Sequence, residues 1–284
     1  MVTVRQLLGE TAEALERAGC DSPAFDARCL IEDIGGVGRG RIDQSGEQPV
    51  PVERERAVRA TAQKRAAGYP LQYLLGEWDF LSLTLRVGEG VLIPRPETEL
   101  LCETAADWLK GCRVESPWAL DLCAGSGCVG LGIASLVPSI HVTAVEWSDE
   151  AFPYLRDNLA RYPQYDIEAV KADVLHEARR FPQPVDLIVS NPPYIPSGDI
   201  AGLMREVGYE PRMALDGGDG LRFYRSLARD WRPKLLPGGA LMAEIGVGQA
   251  EAVAALWREA GLEHIKVLPD AAGISRVVVG ENSR

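Results

Sequence analysis

The chain has 284 residues, 46% hydrophobic and 25% charged, which is ordinary for a soluble globular protein with one large domain or two unequal ones. Its formal net charge of −11 disfavours binding to a long nucleic acid through the phosphates, although a local basic patch is compatible with it. No run approaches the ~18 apolar residues of a membrane-spanning helix, and the first residues lack the apolar segment of a signal peptide, so we expect a cytoplasmic protein.

The cysteines and histidines do not form a metal-binding pattern. No Cys-x-x-Cys pair occurs, and the histidines are scattered along the chain. We therefore expect no metal ion, and we expect reduced, mostly buried thiols. The residues concerned are Cys20, Cys29, Cys102, Cys112, Cys123, Cys128, His141, His176 and His264.

The first 75 residues predict a small helical domain. Apolar residues recur three or four positions apart over 4–15, and the spacing returns over 25–34. Thr3 is placed to cap the first helix, and Asp21 or Ser22 to cap the second. Because no catalytic residues stand out here, we expect this domain either to dock a substrate or to act as a purely structural cap.

The spacing of apolar residues changes here from every three or four positions to every second position. This change predicts a β-hairpin over residues 76–93 that links two domains. Apolar and polar residues alternate over 81–87, and the glycines of 88–90 turn the chain into the apolar segment 91–93. The Pro-rich segment 94–99 then begins a helix and forms a loop that could close over a ligand. The second domain is expected to span 94–284.

The remaining chain alternates strands and helices, which predicts an α/β fold with a doubly wound sheet. The last two strands are too close for a crossover helix, so they should pair antiparallel. A seven-stranded sheet with such an edge is typical of class I methyltransferases, which is an analogy of fold alone. The strands are expected at 118–122, 142–146, 167–171, 185–190, 239–245, 264–268 and 275–279.

A glycine-rich segment after the first of these strands predicts a cofactor site. Its residues are Asp121, Leu122, Cys123, Ala124, Gly125, Ser126 and Gly127. The glycines allow a tight turn with close backbone approach to a ligand, and Glu146, at the end of the next strand, could accept both ribose hydroxyls. A dinucleotide or S-adenosylmethionine would fit. The Asp121 carboxylate favours the second, because it suits an amino group and a sulfonium and would repel a pyrophosphate.

Further residues could complete this cofactor site. Trp147 could pack on the adenine, and Asp173, followed by Val174, could accept a hydrogen bond from the adenine amine. As alternatives, Trp147 could be a packing residue and Asp173 a solvated loop carboxylate. Together with Asn191 these residues describe one crevice at the switch point of the sheet.

The sequence Asn191-Pro192-Pro193-Tyr194 follows the apolar strand 185–190, where open α/β sheets place their ligands. The prolines lack N–H groups, so the turn presents carbonyl oxygens beside the acceptor oxygen of Asn191. Such a corner can hold an NH2 group, with Tyr194 packing against a planar amide or nucleobase amine. An ordinary loop after a strand is the structural alternative.

With these residues in place, the chain resembles the HemK/PrmC family of protein-glutamine N5-methyltransferases over nearly its whole length. Asn-Pro-Pro-Tyr is shared with enzymes that methylate adenine or guanine amines, so the Pro-Arg-Pro-Glu-Thr-Glu stretch and the helical N-terminal domain supply the family specificity. The matching segments are 70–76, 91–99, 191–195, 210–218 and 272–278.

The resemblance implies S-adenosylmethionine as cofactor and a class-1 peptide-chain release factor as protein substrate, methylated on the glutamine of its Gly-Gly-Gln motif to modulate translation termination. We hypothesise that the Asn191 oxygen and the Pro192 carbonyl accept the two amide hydrogens while Tyr194 packs on the amide plane. Cys123 and Ala124 replace the Gly and Thr that are usual in the family, so altered contacts around the methionine part are expected. No direct nucleic acid or membrane partner is expected, and a monomer is the expectation.

Three other interpretations stay open at this point. An amino-methyltransferase for DNA or RNA could use the same corner on a flipped base. A nicotinamide-dependent dehydrogenase fits the glycine pattern but leaves Asn-Pro-Pro-Tyr unexplained. The replacements at Cys123 and Ala124 suggest a non-catalytic module that binds the cofactor or a release factor.

Overall fold

The computed structural model describes residues 1–112 and 114–283, and these form two compact units. The first unit comprises Met1–Glu77 together with the short segment Met204–Tyr209. The second comprises Trp78–Leu203 and the chain from Glu210 onwards. In the described part of the chain, no helix combines the length and apolar character needed to cross a membrane.

The first unit is helical, as the apolar spacing predicts. The Thr3 hydroxyl accepts a hydrogen bond from the Gln6 N–H at 3.3 Å, and the Gln6 side chain accepts from the Thr3 N–H at 3.0 Å, so Thr3 caps the first helix. Ser22 precedes the second helix without a capping side-chain bond. The helices are α1 Val4–Arg17, α2 Pro23–Cys29, which continues as a π-helical turn Leu30–Ile34, α3 Ile42–Ser45, α4 Val52–Ala66 and α5 Leu71–Leu75.

A buried charge cluster lies inside this helical unit. The Arg65 side chain is 5% exposed, and its Nε lies 2.6 Å from Asp26 Oδ2. The same guanidinium forms a salt bridge of 2.6 Å with Glu206. Glu206 belongs to the segment Met204–Tyr209, so this ion pair attaches that segment to the helices.

A hairpin lies inside the predicted range 76–93, but its second strand is not where we expected it. It pairs β1 Glu77–Phe80 with β2 Leu83–Arg86, and the turn between them includes Leu81 at φ 51°. The segment 91–93, expected as the second strand, is not a strand. Val91 and Ile93 are buried in a loop, and the Ile93 N–H donates to the Glu210 carboxylate at 3.0 Å instead of to a neighbouring strand.

The second unit contains the expected seven-stranded sheet, in the order β5-β4-β3-β6-β7-β9-β8. β9 runs antiparallel to both β7 and β8, which confirms the predicted pairing of the last two strands at this edge. The other described pairings are parallel. The strands are β3 Trp118–Leu122, β4 His141–Glu146, β5 Asp166–Lys171, β6 Val185–Ser190, β7 Leu235–Glu244, β8 Leu262–Pro269 and β9 Ser275–Asn282.

Both faces of the sheet are buried because successive strand residues point to opposite sides. In β6, Leu187 and Val189 join the core on one face, and Ile188 joins the core on the other. This double burial explains the continuous apolar run of that strand. The helices are α6 Pro96–Gly111, α7 Cys128–Leu136, α8 Ala151–Arg161, α9 Arg212–Leu215, α10 Arg222–Ser226 and α11 Ala250–Glu259, with single turns at Ala178–Arg180, Ile200–Gly202 and Arg232–Lys234 and a π-helical turn at Leu227–Trp231.

The strand order places the switch point of the sheet between β3 and β6. β3 continues the chain to β4 on one side, whereas β6 leads to β7 on the other. Leu122 at the end of β3 is paired with Ser190 at the end of β6. The segments that follow these two residues are the predicted cofactor loop and the Asn-Pro-Pro-Tyr turn, so both leave the sheet at one edge.

Candidate active site

A cavity of about 600 Å³ lies at this edge of the sheet, within the size range of small-molecule sites. Most of the predicted site residues line it. They are Cys123, Ala124, Gly125, Ser126, Glu146, Trp147, Asp173, Val174, Asn191 and Pro193.

Four predicted site residues are not among those that line the cavity: Asp121, Gly127, Pro192 and Tyr194. The Tyr194 side chain packs against the apolar core, and its hydroxyl lies 3.4 Å from the Glu244 carboxylate. Gly127 has φ 83°, and an added Cβ there would lie 2.7 Å from Leu155 Cδ1. A glycine at position 127 is therefore required for packing against α8. This explains its presence in the loop, although we expected it to contact the cofactor.

The Asp121 carboxyl is fully buried beneath the cofactor loop. Its Oδ2 accepts from the Gly130 N–H at 2.9 Å near the start of α7, and its Oδ1 has no partner among the described residues. Burial raises the pKa of Asp121 to about 7, and the nearby Glu146 adds to this, while the Gly130 bond opposes it. The carboxyl thus fixes the helix after the loop instead of facing the cavity.

The loop backbone presents Gly125 to the cavity. Gly125 has φ 56°, and no atom lies within 4 Å of a Cβ built there, so this position is open. Its N–H donates to Glu146 Oε2 at 2.8 Å. Cys123 also lies in the left-handed region, at φ 64°, although it has a side chain. A left-handed backbone costs a non-glycine residue roughly 1–2 kcal/mol, so the backbone at Cys123 is strained.

The Glu146 carboxylate is held in place by backbone N–H groups. In addition to Gly125, the Ser148 N–H donates to its Oε1 at 2.6 Å. Burial raises the pKa of Glu146, and these hydrogen bonds oppose the shift. Each carboxylate oxygen has more than one acceptor site, so both can also accept a ribose hydroxyl. Trp147, 52% exposed, follows directly and lines the same cavity.

Asp173 belongs to a small turn at the cavity wall. Its Oδ1 accepts from the Leu175 N–H at 2.8 Å, and its Oδ2 lies 2.8 Å from His176 Nδ1. Leu175 and His176 line the cavity as well, and sequence reasoning missed both. They are the two residues that follow the predicted pair Asp173-Val174, so a predicted site segment longer by two residues would have included them.

Asn191 is anchored by two buried residues that sequence reasoning also missed. Its Nδ2 lies 3.0 Å from Thr98 Oγ1, and that oxygen lies 2.6 Å from Glu244 Oε2. Thr98 is 0% and Glu244 is 2% exposed. Thr98 belongs to the Pro-Arg-Pro-Glu-Thr-Glu stretch, and Glu244 is a carboxylate at the end of an apolar strand, so both carried a signal in the sequence.

The Glu244 carboxyl has an unusual environment for an acid. Burial raises its pKa to about 7, and the Thr98 hydrogen bond opposes this. Glu97 raises the pKa further, while Arg276 and the Tyr194 hydroxyl lower it. Buried carboxyls with raised pKa values concentrate at functional sites, although structural networks also produce them.

The fold and this cavity define a class I methyltransferase. The 16S rRNA N2 G1207 methyltransferase of Thermus thermophilus, solved with AdoMet and guanosine, has this fold: it is 22% identical, with a TM-score of 0.52, and the match covers 72% of this chain and 49% of that one. Residues 6–76 match the family model "PrmC N-terminal domain", and residues 75–217 match "Conserved hypothetical protein 95".

Sequence relatives identify the family within this class of methyltransferases to which the chain belongs. The release factor glutamine methyltransferase of Deinococcus radiodurans is 37% identical over 276 residues, and that of Moorella thermoacetica is 38% identical over 279 residues. Each match covers 97% of this chain and 97% of the relative. The chain belongs to the release factor glutamine methyltransferase family, which confirms the resemblance to HemK/PrmC.

Proposed function

We propose that this protein transfers a methyl group from S-adenosylmethionine to the side-chain amide nitrogen of the glutamine in the Gly-Gly-Gln motif of class-1 peptide-chain release factors. The observation that carries the proposal is the anchored Asn191, whose Nδ2 bonds to Thr98 and whose Oδ1 is thereby left as an acceptor at the cavity wall. The relatives from Deinococcus radiodurans and Moorella thermoacetica are release factor glutamine methyltransferases, which supports the same reaction.

The residues of the cavity fit S-adenosylmethionine. Glu146 would hold the ribose hydroxyls, Trp147 would pack on the adenine, and Asp173 with Val174 would flank it. The open space at Gly125 admits a ligand close to the loop backbone. When bound, S-adenosylmethionine supplies an electrophilic methyl group carried on a positively charged sulfur.

The protein's task at the substrate is to hold a poor nucleophile. An amide nitrogen shares its lone pair with the carbonyl, which is the resonance that makes peptide bonds planar. Asn191 Oδ1 would accept one amide hydrogen, and the Pro192 carbonyl, next to the cavity-lining Pro193, would accept the other. The Tyr194 ring packs against the core, so it supports this turn instead of lying on the amide plane. Positioning alone can supply roughly 7–11 kcal/mol in favourable systems, and acceptors directed at growing positive charge add to this. No strong base is required, because the alkylated nitrogen is acidic enough to lose its proton to water.

We further propose that the helical unit, residues 1–75, docks the release factor, with 76–93 as its linker to the methyltransferase domain, 94–284. The unit carries no residue of the described cavity, and it matches a named N-terminal domain of the family. A chain without this unit should then keep cofactor affinity and show a raised KM for the release factor. An unchanged KM would contradict docking.

The function is tested by incubating the protein with S-adenosylmethionine that carries a labelled methyl group. The substrates are an intact class-1 release factor, the same factor with Ala in place of the Gly-Gly-Gln glutamine, and ribosomal RNA. We expect label in the intact factor alone. Label in RNA would favour the nucleobase alternative, and cofactor binding without any transfer would favour a non-catalytic module.

A further inference from the structure

We propose that Glu244, acting through the Thr98 hydroxyl, sets the orientation of the Asn191 amide so that its oxygen, and not its NH2 group, faces the cavity. Glu244 and Thr98 are then positioning residues for methyl transfer. The inference rests on the proposed function, because it explains how Asn191 becomes an acceptor for the substrate amide.

The hydrogens that each group carries determine the direction of these hydrogen bonds. A threonine hydroxyl has one hydrogen to donate, and an ionised carboxylate can only accept. With 2.6 Å between Thr98 Oγ1 and Glu244 Oε2, that hydrogen lies on the bond to Glu244. Thr98 can therefore only accept from Asn191, and the Asn191 atom 3.0 Å away must be the donor Nδ2. The Oδ1 atom is left for a ligand.

Burial raises the pKa of Glu244 to about 7, so Glu244 is the ionised acceptor that this chain of bonds requires when the pH is above 7. Its Oε1 lies 3.4 Å from the Tyr194 hydroxyl, a second donor, while the Tyr224 hydroxyl donates to its backbone carbonyl at 2.9 Å. Two charged residues face it from neighbouring elements: Arg276 on β9 favours the ionised form, and Glu97 on α6 opposes it. Arg276 is itself bonded to Asp270 at 2.9 Å, so hydroxyl groups are the direct side-chain partners that the described residues give Glu244.

Loss of the Glu244 carboxylate should reverse the direction of the hydrogen bond between Thr98 and Asn191. With Glu244→Met, the Thr98 hydrogen is free to point at Asn191, and a donating hydroxyl stabilises the amide with Oδ1 turned inward. The NH2 group then meets the N–H groups of the substrate amide, and a hydrogen bond is replaced by a repulsive contact. We expect kcat to fall about 10- to 100-fold, as for a hydrogen bond left unmade. Thr98→Val removes the hydroxyl and should have a similar effect.

The activity test uses the full chain, an intact release factor and saturating S-adenosylmethionine, at a pH well above 7 so that Glu244 is ionised. Thr98→Ser keeps the hydroxyl and should recover most of the kcat that Thr98→Val loses. The cofactor Kd, measured by calorimetry, should change less than about twofold in all three variants, since the change concerns only the amide acceptor. In an Asn191→Ala background, Glu244→Met should cost no further activity. A further loss of the same size there would overturn the proposal and assign Glu244 a general structural role.

A second measurement needs no substrate, so its failure is distinct from a failure of the proposed function. The side-chain NH2 signal of Asn191 in the 15N-labelled protein is assigned by its loss in Asn191→Ala. Its hydrogens should exchange with solvent slowly in the wild type and in Thr98→Ser, and about tenfold faster in Glu244→Met, where the group faces the cavity. Equal exchange rates in the wild type, Thr98→Ser and Glu244→Met would overturn the proposed orientation, whether or not the protein methylates a release factor.

Discussion

Two buried acidic groups in this molecule are stabilised in opposite ways. In the helical unit, Asp26 lies against the Arg65 guanidinium at 2.6 Å, so that its charge is compensated. In the second unit, Glu244 is bonded to the hydroxyls of Thr98 and Tyr194, and Arg276 acts on it without a direct bond. An ion pair fixes a structure, whereas a carboxylate among hydroxyls fixes the direction in which those hydroxyls donate.

The largest expected effect concerns the compensated cluster. Arg65→Met leaves Asp26 and Glu206 without their partner, and breaking a buried ion pair in this way costs about 3–5 kcal/mol. We expect the free energy of unfolding, measured in urea, to fall by that amount. The control is Arg59→Ala, which removes the pairs that the 44% exposed Arg59 side chain makes with Glu10 and Glu55 at the surface. Equal losses of stability in Arg65→Met and Arg59→Ala would show that the buried charge cluster stabilises the fold no more than a surface pair does.

The next effect concerns the side chain that Glu244 positions. Asn191→Ala removes the acceptor for the substrate amide, and losing one such group typically lowers kcat by about 10²- to 10³-fold. The cofactor Kd should stay nearly constant. Asn191→Asp keeps acceptor oxygens but adds a charge, so we expect impairment from electrostatics. If Asn191→Ala abolished cofactor binding and left turnover of bound cofactor intact, the assignment would be wrong.

A stability measurement against pH sharpens the comparison at Glu244 itself. Its pKa in the folded protein is raised by burial to about 7 from a usual value of 4.5, so the folded state holds a proton that the unfolded state releases. The associated stability is present below pH ~4.5 and is lost as the pH rises towards 7. Glu244→Gln lacks this loss, so it should gain about 1–3 kcal/mol relative to wild type between pH 4.5 and 8. If the difference in unfolding free energy between Glu244→Gln and the wild type did not change with pH, Glu244 would not carry an uncompensated buried charge.

The smallest expected effect tests the strained loop. At Cys123, with φ 64°, Cys123→Gly should be more stable than Cys123→Ala by about 1 kcal/mol, because both lose the thiol and only alanine keeps the strain. Ala124 does not have a positive φ, so Ala124→Gly should instead lose about 0.5–1 kcal/mol. Thermal unfolding of the three variants checks this change of sign.

The sequence predicted the site well where a signal was local. Asn191 and Glu146 stand directly after or at the end of apolar strands, so their place at one edge of the sheet followed from the alternation of strands and helices. The strand boundaries of β3 and β6 were predicted in full for the same reason. Chain topology alone brought these residues together.

Other features depended on contacts between distant parts of the chain. Thr98 and Glu244 are 146 residues apart in the sequence, and no spacing rule connects them. The segment 91–93 looked like a strand because all three of its residues are apolar, yet the Ile93 N–H is bonded to the side chain of Glu210. The direction of the Asp121 and Tyr194 side chains, away from the cavity, was equally invisible, since it depends on the groups that happen to meet them.

The central claim is that the Asn191 corner presents a glutamine amide nitrogen for methylation, and tandem mass spectrometry of the product tests it most directly. An intact class-1 release factor is incubated with S-adenosylmethionine and either wild-type protein or Asn191→Ala, and the Gly-Gly-Gln peptide is fragmented. We predict one methyl group on the side-chain nitrogen of that glutamine with the wild type, and little or none with the variant in the same time. A methyl group on another residue, or equal methylation by both proteins, would contradict the account.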